Sequence, residues 1–167
     1  PGVYHFYWRC KVGKGIDNTE HNDSWLRIPG AADYYAVHPE TGDTVRPHGI
    51  CVDDCPKGTG SDGWFKVFSS GTTGWTWTGK TSDHAGNQVM VLFEKPGIYT
   101  VQISGRSDNH LLDRFVLFNP ELTSKADALS STKSESYCQT WSPGPQVPKS
   151  PFLLHSSPYN PQPVNIL

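Results

Sequence analysis

The sequence predicts an all-β chain, a two-sheet antiparallel β-sandwich of jelly-roll type with an irregular proline-rich C-terminal tail. Three observations carry that expectation. Seven short β-prone runs fall within the first 120 residues, separated by Gly, Asp, Asn, Ser and Thr clusters that make loops. No segment of that region sustains a 3.6-residue apolar period, so helices should be short or absent. Six Trp, seven Tyr and seven Phe beside 16 Gly, 14 Pro and a single Met suit short strands joined by tight turns.

The first run, 3–11, lies in "PGVYHFYWRCKV", where a Pro-Gly turn precedes aromatic and β-branched residues. Shorter runs follow at 23–28 in "NDSWLRI", at 62–69 after "SDG", at 74–78 in "GWTWT" and at 88–94. "PGIYTVQISGR" then repeats the opening device at 97–105, with Tyr99, Val101 and Ile103 alternating with Thr100, Gln102 and Ser104. That alternation is a half-buried strand with one wet face. "RSDNH" supplies turn residues, and the return strand 110–118 is expected to close a hairpin with 97–105. Its Leu111, Leu112, Phe115, Val116, Leu117 and Phe118 place apolar groups on both faces, which fits an inner sheet position. Residues 1–120 form the predicted β-sandwich domain. Residues 121–167 read as a Ser/Pro-rich extended tail, with seven of the fourteen prolines in the last 25 positions. "PFLLH" and "VNIL" within it are apolar enough to dock on the sandwich or on a neighbouring subunit.

Fourteen Lys and Arg against 16 Asp and Glu give a formal net charge of −2, which makes no electrostatic case for nucleic acid or an anionic membrane. No apolar run of about 18 residues is present to insert in a bilayer. The chain starts at Pro1, as a mature form or a fragment would, and shows no signal peptide. Cysteines stand at 10, 51, 55 and 138. An even count in an extracellular protein implies disulfides, and four cysteines allow three connectivities. Cys51–Cys55 is favoured because "CVDDC" can close a small loop, with Cys10–Cys138 stapling the tail to the first strand. A lone C-x3-C lacks the second ligand pair of a zinc site. Asn22-Asp23-Ser24 is an N-glycosylation triplet, marking Asn22 as acceptor.

Sugars are bound by stacking aromatic rings on their C–H faces and by planar polar groups that satisfy their hydroxyls. Trp75 and Trp77, two apart in "GWTWTG", share one side of a strand, with Gly on either flank to leave them accessible. Trp25 is a third platform candidate, although core packing is the commoner fate of any one tryptophan in a small sandwich. Arg106 and Asp113 face one another across the expected hairpin, either as a register-fixing ion pair or as a polar floor beneath a ligand. Asp113 and Arg114, being adjacent in a strand, should point to opposite faces. Asn22 and Asp23 complete the polar contacts. The loop "DNTEHNDS" offers Asp17, Asn18, Glu20 and Asp23 to a structural calcium ion, the only cofactor with any support. No nucleophile elbow, P-loop or dinucleotide fingerprint is present, so an enzyme is not expected.

The stretch "PGIYTVQISGRSDNHLLDRFVLF" resembles the terminal hairpin of β-sandwich carbohydrate-binding domains, of galactose-binding-like or malectin-like jelly-roll type. "NDSWLRI" and "GWTW" are similar to their early strand and central aromatic stretch, and the resemblance covers residues 2–119. It implies a non-catalytic, lectin-like module of a secreted protein, sometimes holding a structural calcium. The cysteine-bearing insert at 44–60 and the proline-rich tail depart from that pattern. They support an alternative, a structural subunit of an extracellular assembly or filament, in which the tail makes inter-subunit contacts.

Overall fold

A computed structural model of the protein describes residues 1–16, 19–47, 49, 58–69 and 73–134, together with the backbone of 164–166. Among the described residues the regular structure is almost entirely antiparallel β-sheet. Its strands are β1 (Gly2–Val12), β2 (Asp23–Arg27), β3 (Asp33–Val37), β4 (Thr44–Val45), β5 (Thr59–Gly60), β6 (Trp64–Phe68), β7 (Thr76–Thr78), β8 (Lys80–Thr81), β9 (Asn87–Phe93), β10 (Tyr99–Gly105), β11 (His110–Phe118) and β12 (Val164–Ile166). The described helical residues are a 3-10 turn at Ser61–Gly63 and a one-turn helix, α1 (Lys125–Ala128). Ser124 caps that helix, its hydroxyl accepting from the Asp127 amide. Each of the seven expected runs contains a strand, with ends shifted by at most two residues.

The strands follow the path β11-β1-β9-β8-β6-β2-β10-β12, with β3 and β4 added at β9, β5 at β6 and β7 at β1. Period-two burial orients them. On β9, Asn87, Val89, Val91 and Phe93 are buried while Gln88, Met90 and Leu92 are partly exposed. Phe6, Trp8 and Cys10 of β1, Leu26 of β2, Phe65 and Val67 of β6, and Val101 of β10 join the same core. Strands from both ends of the path thus contribute to one interior, so the sheet turns back on itself. Burying each of these large side chains contributes roughly 1.5–3 kcal/mol. The Tyr34 hydroxyl donates to the Leu26 carbonyl at 3.0 Å, so β3 and β2 are joined by a satisfied polar bond inside the core.

The expected closing hairpin does not form. β10 pairs with β2, Gln102 opposite Arg27 through Gly105 opposite Ser24, whereas β11 pairs with β1. Residues 106–109 therefore link two separate edges of the sheet. β11 ends the path and is not an inner strand. Its apolar outer side is covered locally: Phe118 stacks on Tyr7 at 6.0 Å and meets His5 at 5.3 Å, and Lys125 of α1 lies 4.7 Å over the Tyr7 ring.

Cys10 is fully buried and carries a free thiol, so the expected Cys10–Cys138 bridge is not formed. Burial pushes that thiol up to about 12, an unreactive state at neutral pH. Cys51, Cys55 and Cys138 lie outside the described residues, as do 135–163 of the tail. The backbone of Val164–Ile166 adds to the free edge of β10, Tyr99 opposite Ile166 and Val101 opposite Val164. Among the described residues no helix is long and apolar enough to cross a membrane.

Candidate functional site

β1 alternates cleanly over "WRCKV". Trp8, Cys10 and Val12 are buried, so Arg9 and Lys11 face outward. β7 seats against this strand with Trp77 opposite Arg9, which places Trp77, and Trp75 two residues before it, on the same outer face. Trp75 is 41% exposed. Its ring centroid lies 5.1 Å from the Arg9 guanidinium carbon and 4.9 Å from the Lys11 ammonium. Both cations rise from one strand and stand against an indole that keeps part of its surface exposed.

β11 borders the same face, with Arg114 opposite Arg9 and Leu112 opposite Cys10. Asp113 is therefore the extra residue of a β-bulge, which breaks strict alternation and turns Asp113 and Arg114 outward together. The expectation that they point to opposite faces fails for that reason. Arg9 Nη1 donates to Asp113 Oδ2 at 2.6 Å and Arg114 Nε to the same oxygen at 3.2 Å. The Arg9 hydrogen bond, aided by the charge of Arg114, holds the Asp113 carboxyl below the usual carboxylate range.

Arg106 is not the partner of Asp113. It donates from Nη1 to Asp23 Oδ2 at 2.6 Å, and its guanidinium carbon stands 5.6 Å from the Trp25 ring. The Ser107 hydroxyl donates to Asp23 Oδ1, and the Ser107 amide to the Asp23 carbonyl at 3.2 Å. The Ser24 hydroxyl and His110 Nδ1 are 2.8 Å apart. These bonds tether the 106–109 connection to β2, so Asp23 and Arg106 hold the two sheet edges together. Trp25 lies against Gly60, where an added Cβ would meet its ring at 3.4 Å. In the sheet path β9, β8 and β6 stand between β1 and β2. The structure consequently divides the expected site: Trp75, Trp77 and Asp113 share one face, while Trp25, Arg106 and Asp23 belong to another.

Asn22 is 8% exposed and its Nδ2 donates to the Ser69 carbonyl at 2.8 Å, an arrangement that a glycan on that nitrogen would break. Of the expected calcium ligands, Asp17 and Asn18 lie outside the described residues, Glu20 is exposed, and the Asp23 carboxylate is committed to Arg106 and Ser107. Among the described residues no three His, Cys, Asp or Glu side chains cluster to hold a metal.

Arg9, Lys11 and Arg114 are the site residues that sequence reasoning missed. The buried-exposed alternation of "WRCKV" was the available signal for the first two. Family models, curated proteins and solved structures were all compared with this chain, and none matches it.

Proposed function

We propose that the protein is a non-catalytic carbohydrate-binding domain of an extracellular protein, built as a two-sheet jelly-roll sandwich, with Trp75 as its stacking platform. One observation carries this reading: a large indole is left 41% exposed on a sheet face, with a second indole beside it and hydrogen-bonding side chains around it. An aromatic ring so placed offers a flat apolar surface to a pyranose while the surrounding donors reach its hydroxyls. The resemblance of "PGIYTVQISGR" and "GWTW" to sugar-binding sandwiches points the same way. Trp75→Ala is expected to weaken retention in polysaccharide affinity electrophoresis about tenfold or more. The melting temperature should stay within about 2 °C, since little of that ring packs in the core. Unchanged retention on every polysaccharide that holds the parent protein would overturn the platform.

A second reading, a structural subunit whose tail joins copies, is favoured by the Val164–Ile166 ladder on β10. A strand added at a sheet edge can be exchanged between identical chains with the same hydrogen bonds. If so, deletion of 164–167 converts an oligomer to a monomer by light scattering; an unchanged mass removes this reading.

A further inference from the structure

The outer face around Trp75 is cationic on a chain that is anionic as a whole. Among the described residues Arg9, Lys11 and Arg114 meet a single carboxylate there, Asp113, whereas the full sequence has a net charge of −2. Lys11 pairs with no carboxylate among the described residues, its contact being with the indole at 4.9 Å. Arg114 shares Asp113 with Arg9, which holds that oxygen more closely, at 2.6 Å against 3.2 Å. One carboxylate cannot neutralise three cations, so donor capacity and positive charge remain at the rim of the exposed indole. A neutral sugar needs planar hydrogen-bonding groups around a stacking ring and has no use for surplus charge. An anionic sugar needs both.

We propose that this face binds an acidic polysaccharide, one whose pyranose rings carry sulfate or carboxylate groups, with a ring stacked on Trp75 and its anionic substituents held by Lys11, Arg114 and Arg9. The inference rests on the carbohydrate-binding reading and names the ligand class of the same site. Arg9 and Arg114 present fork donors suited to the oxygens of sulfate or carboxylate, and Lys11 adds a point charge. The contact is solvent-exposed, so it weakens as salt screens it.

Binding of the full chain to four immobilised probes tests this: dextran sulfate against dextran, and polygalacturonate against its methyl ester. The expected result is retention on one or both acidic probes, weakened roughly tenfold from about 0.05 to about 0.5 M salt. Retention should fall at least severalfold in Lys11→Gln and in Arg114→Gln, and be lost in Trp75→Ala. Preference between sulfate and carboxylate identifies the group that is read. Lys11→Gln breaks no ion pair among the described residues, so it remains informative should Arg114→Gln disturb the bulge. Equal, Trp75-dependent retention on the neutral probes overturns the acidic preference and leaves the carbohydrate reading intact. Retention on acidic probes that survives Trp75→Ala overturns the site itself. No retention on any of the four overturns the acidic preference, and its extension to a wide glycan array overturns the carbohydrate reading with it.

Discussion

Gly79→Ala is expected to destabilise the protein by about 3 kcal/mol or more, a fall in melting temperature on the order of 10 °C. A Cβ at position 79 would stand 2.0 Å from the Phe6 carbonyl oxygen and 2.6 Å from Gln88 Nε2. The first is backbone and cannot step aside. β1 gives Gly2–His5 to β9 and Trp8–Cys10 to β7, so the Phe6 carbonyl falls between two ladders. It accepts from the Gln88 side chain at 2.8 Å instead, while the Gly79 carbonyl receives the Val89 amide at 2.9 Å. An alanine must displace β7 from β1 or break both bonds. Gly105→Ala is the control, because a Cβ there meets nothing within 4 Å; it should change stability by no more than about 0.5 kcal/mol. Thermal unfolding followed by circular dichroism measures both, and equal melting temperatures would remove the proposed close approach. The site is coupled to this glycine. Trp77 and Trp75 reach their places through the short β7 ladder, so a folded remnant of Gly79→Ala should also lose polysaccharide retention.

Lowering the pH from neutral to about 4 is expected to cost up to about 3 kcal/mol of stability through His110 alone. Burial lowers this imidazole from 6.5 to about 4, and the charge of nearby Asp23 only partly opposes that. Its Nδ1 is shared with Ser24, Trp8 packs edge-on at 5.6 Å, and Nε2 has no hydrogen-bond partner among the described residues. A proton on this half-buried ring would add charge where little solvent reaches it, Nε2 being fully enclosed. Above pH 6.5 the folded and unfolded chains both hold neutral His110, so the group adds no pH dependence. Between 6.5 and about 4 the unfolded chain binds the proton and the folded chain does not, so stability falls as pH falls. At about 1.4 kcal/mol per pH unit the window accounts for the quoted loss. Asp113 acts in the same direction but lower. Its depressed carboxyl contributes stability that is present above 3.8 and lost as pH falls through its folded value, so the two windows separate. Urea unfolding at pH 7 and pH 4.5 measures the effect. His110→Asn should flatten the slope; a slope equal to that of the parent would mean that His110 is not the group responsible.

Much of the fold was legible in the chain. Strand existence follows from local pattern: "YTVQISG" and "NQVMVLF" alternate with a period of two whatever they pair with. β3 escaped notice because "DYYAV" spends two of five positions on Asp and Ala, which are weak strand formers. β4, β5 and β8, at two residues each, carry no periodicity at all. Of the residues that the sequence singles out, Trp75, Trp77 and Asp113 lie on one face. The expected pairing of Arg106 with Asp113 fails because the consecutive strands β10 and β11 do not pair. In the sequence Gly79 looks like a flank that leaves an indole accessible, and it is instead where a backbone carbonyl of β1 comes within reach.

The amino-acid sequence by itself determined the all-β class, the strand segments, the inward and outward sides of most of them and the short supply of helix, because each depends on side chains within a few residues of one another. Only the tertiary structure decided which edges meet, that β10 and β11 part company at 106–109, that a bulge turns Asp113 outward beside Arg114, and which tryptophans stay at the surface. Those outcomes depend on closing long loops around one shared core. A pleated strand offers the same backbone donors and acceptors to any neighbour, so its partner is chosen by the packing of the whole interior.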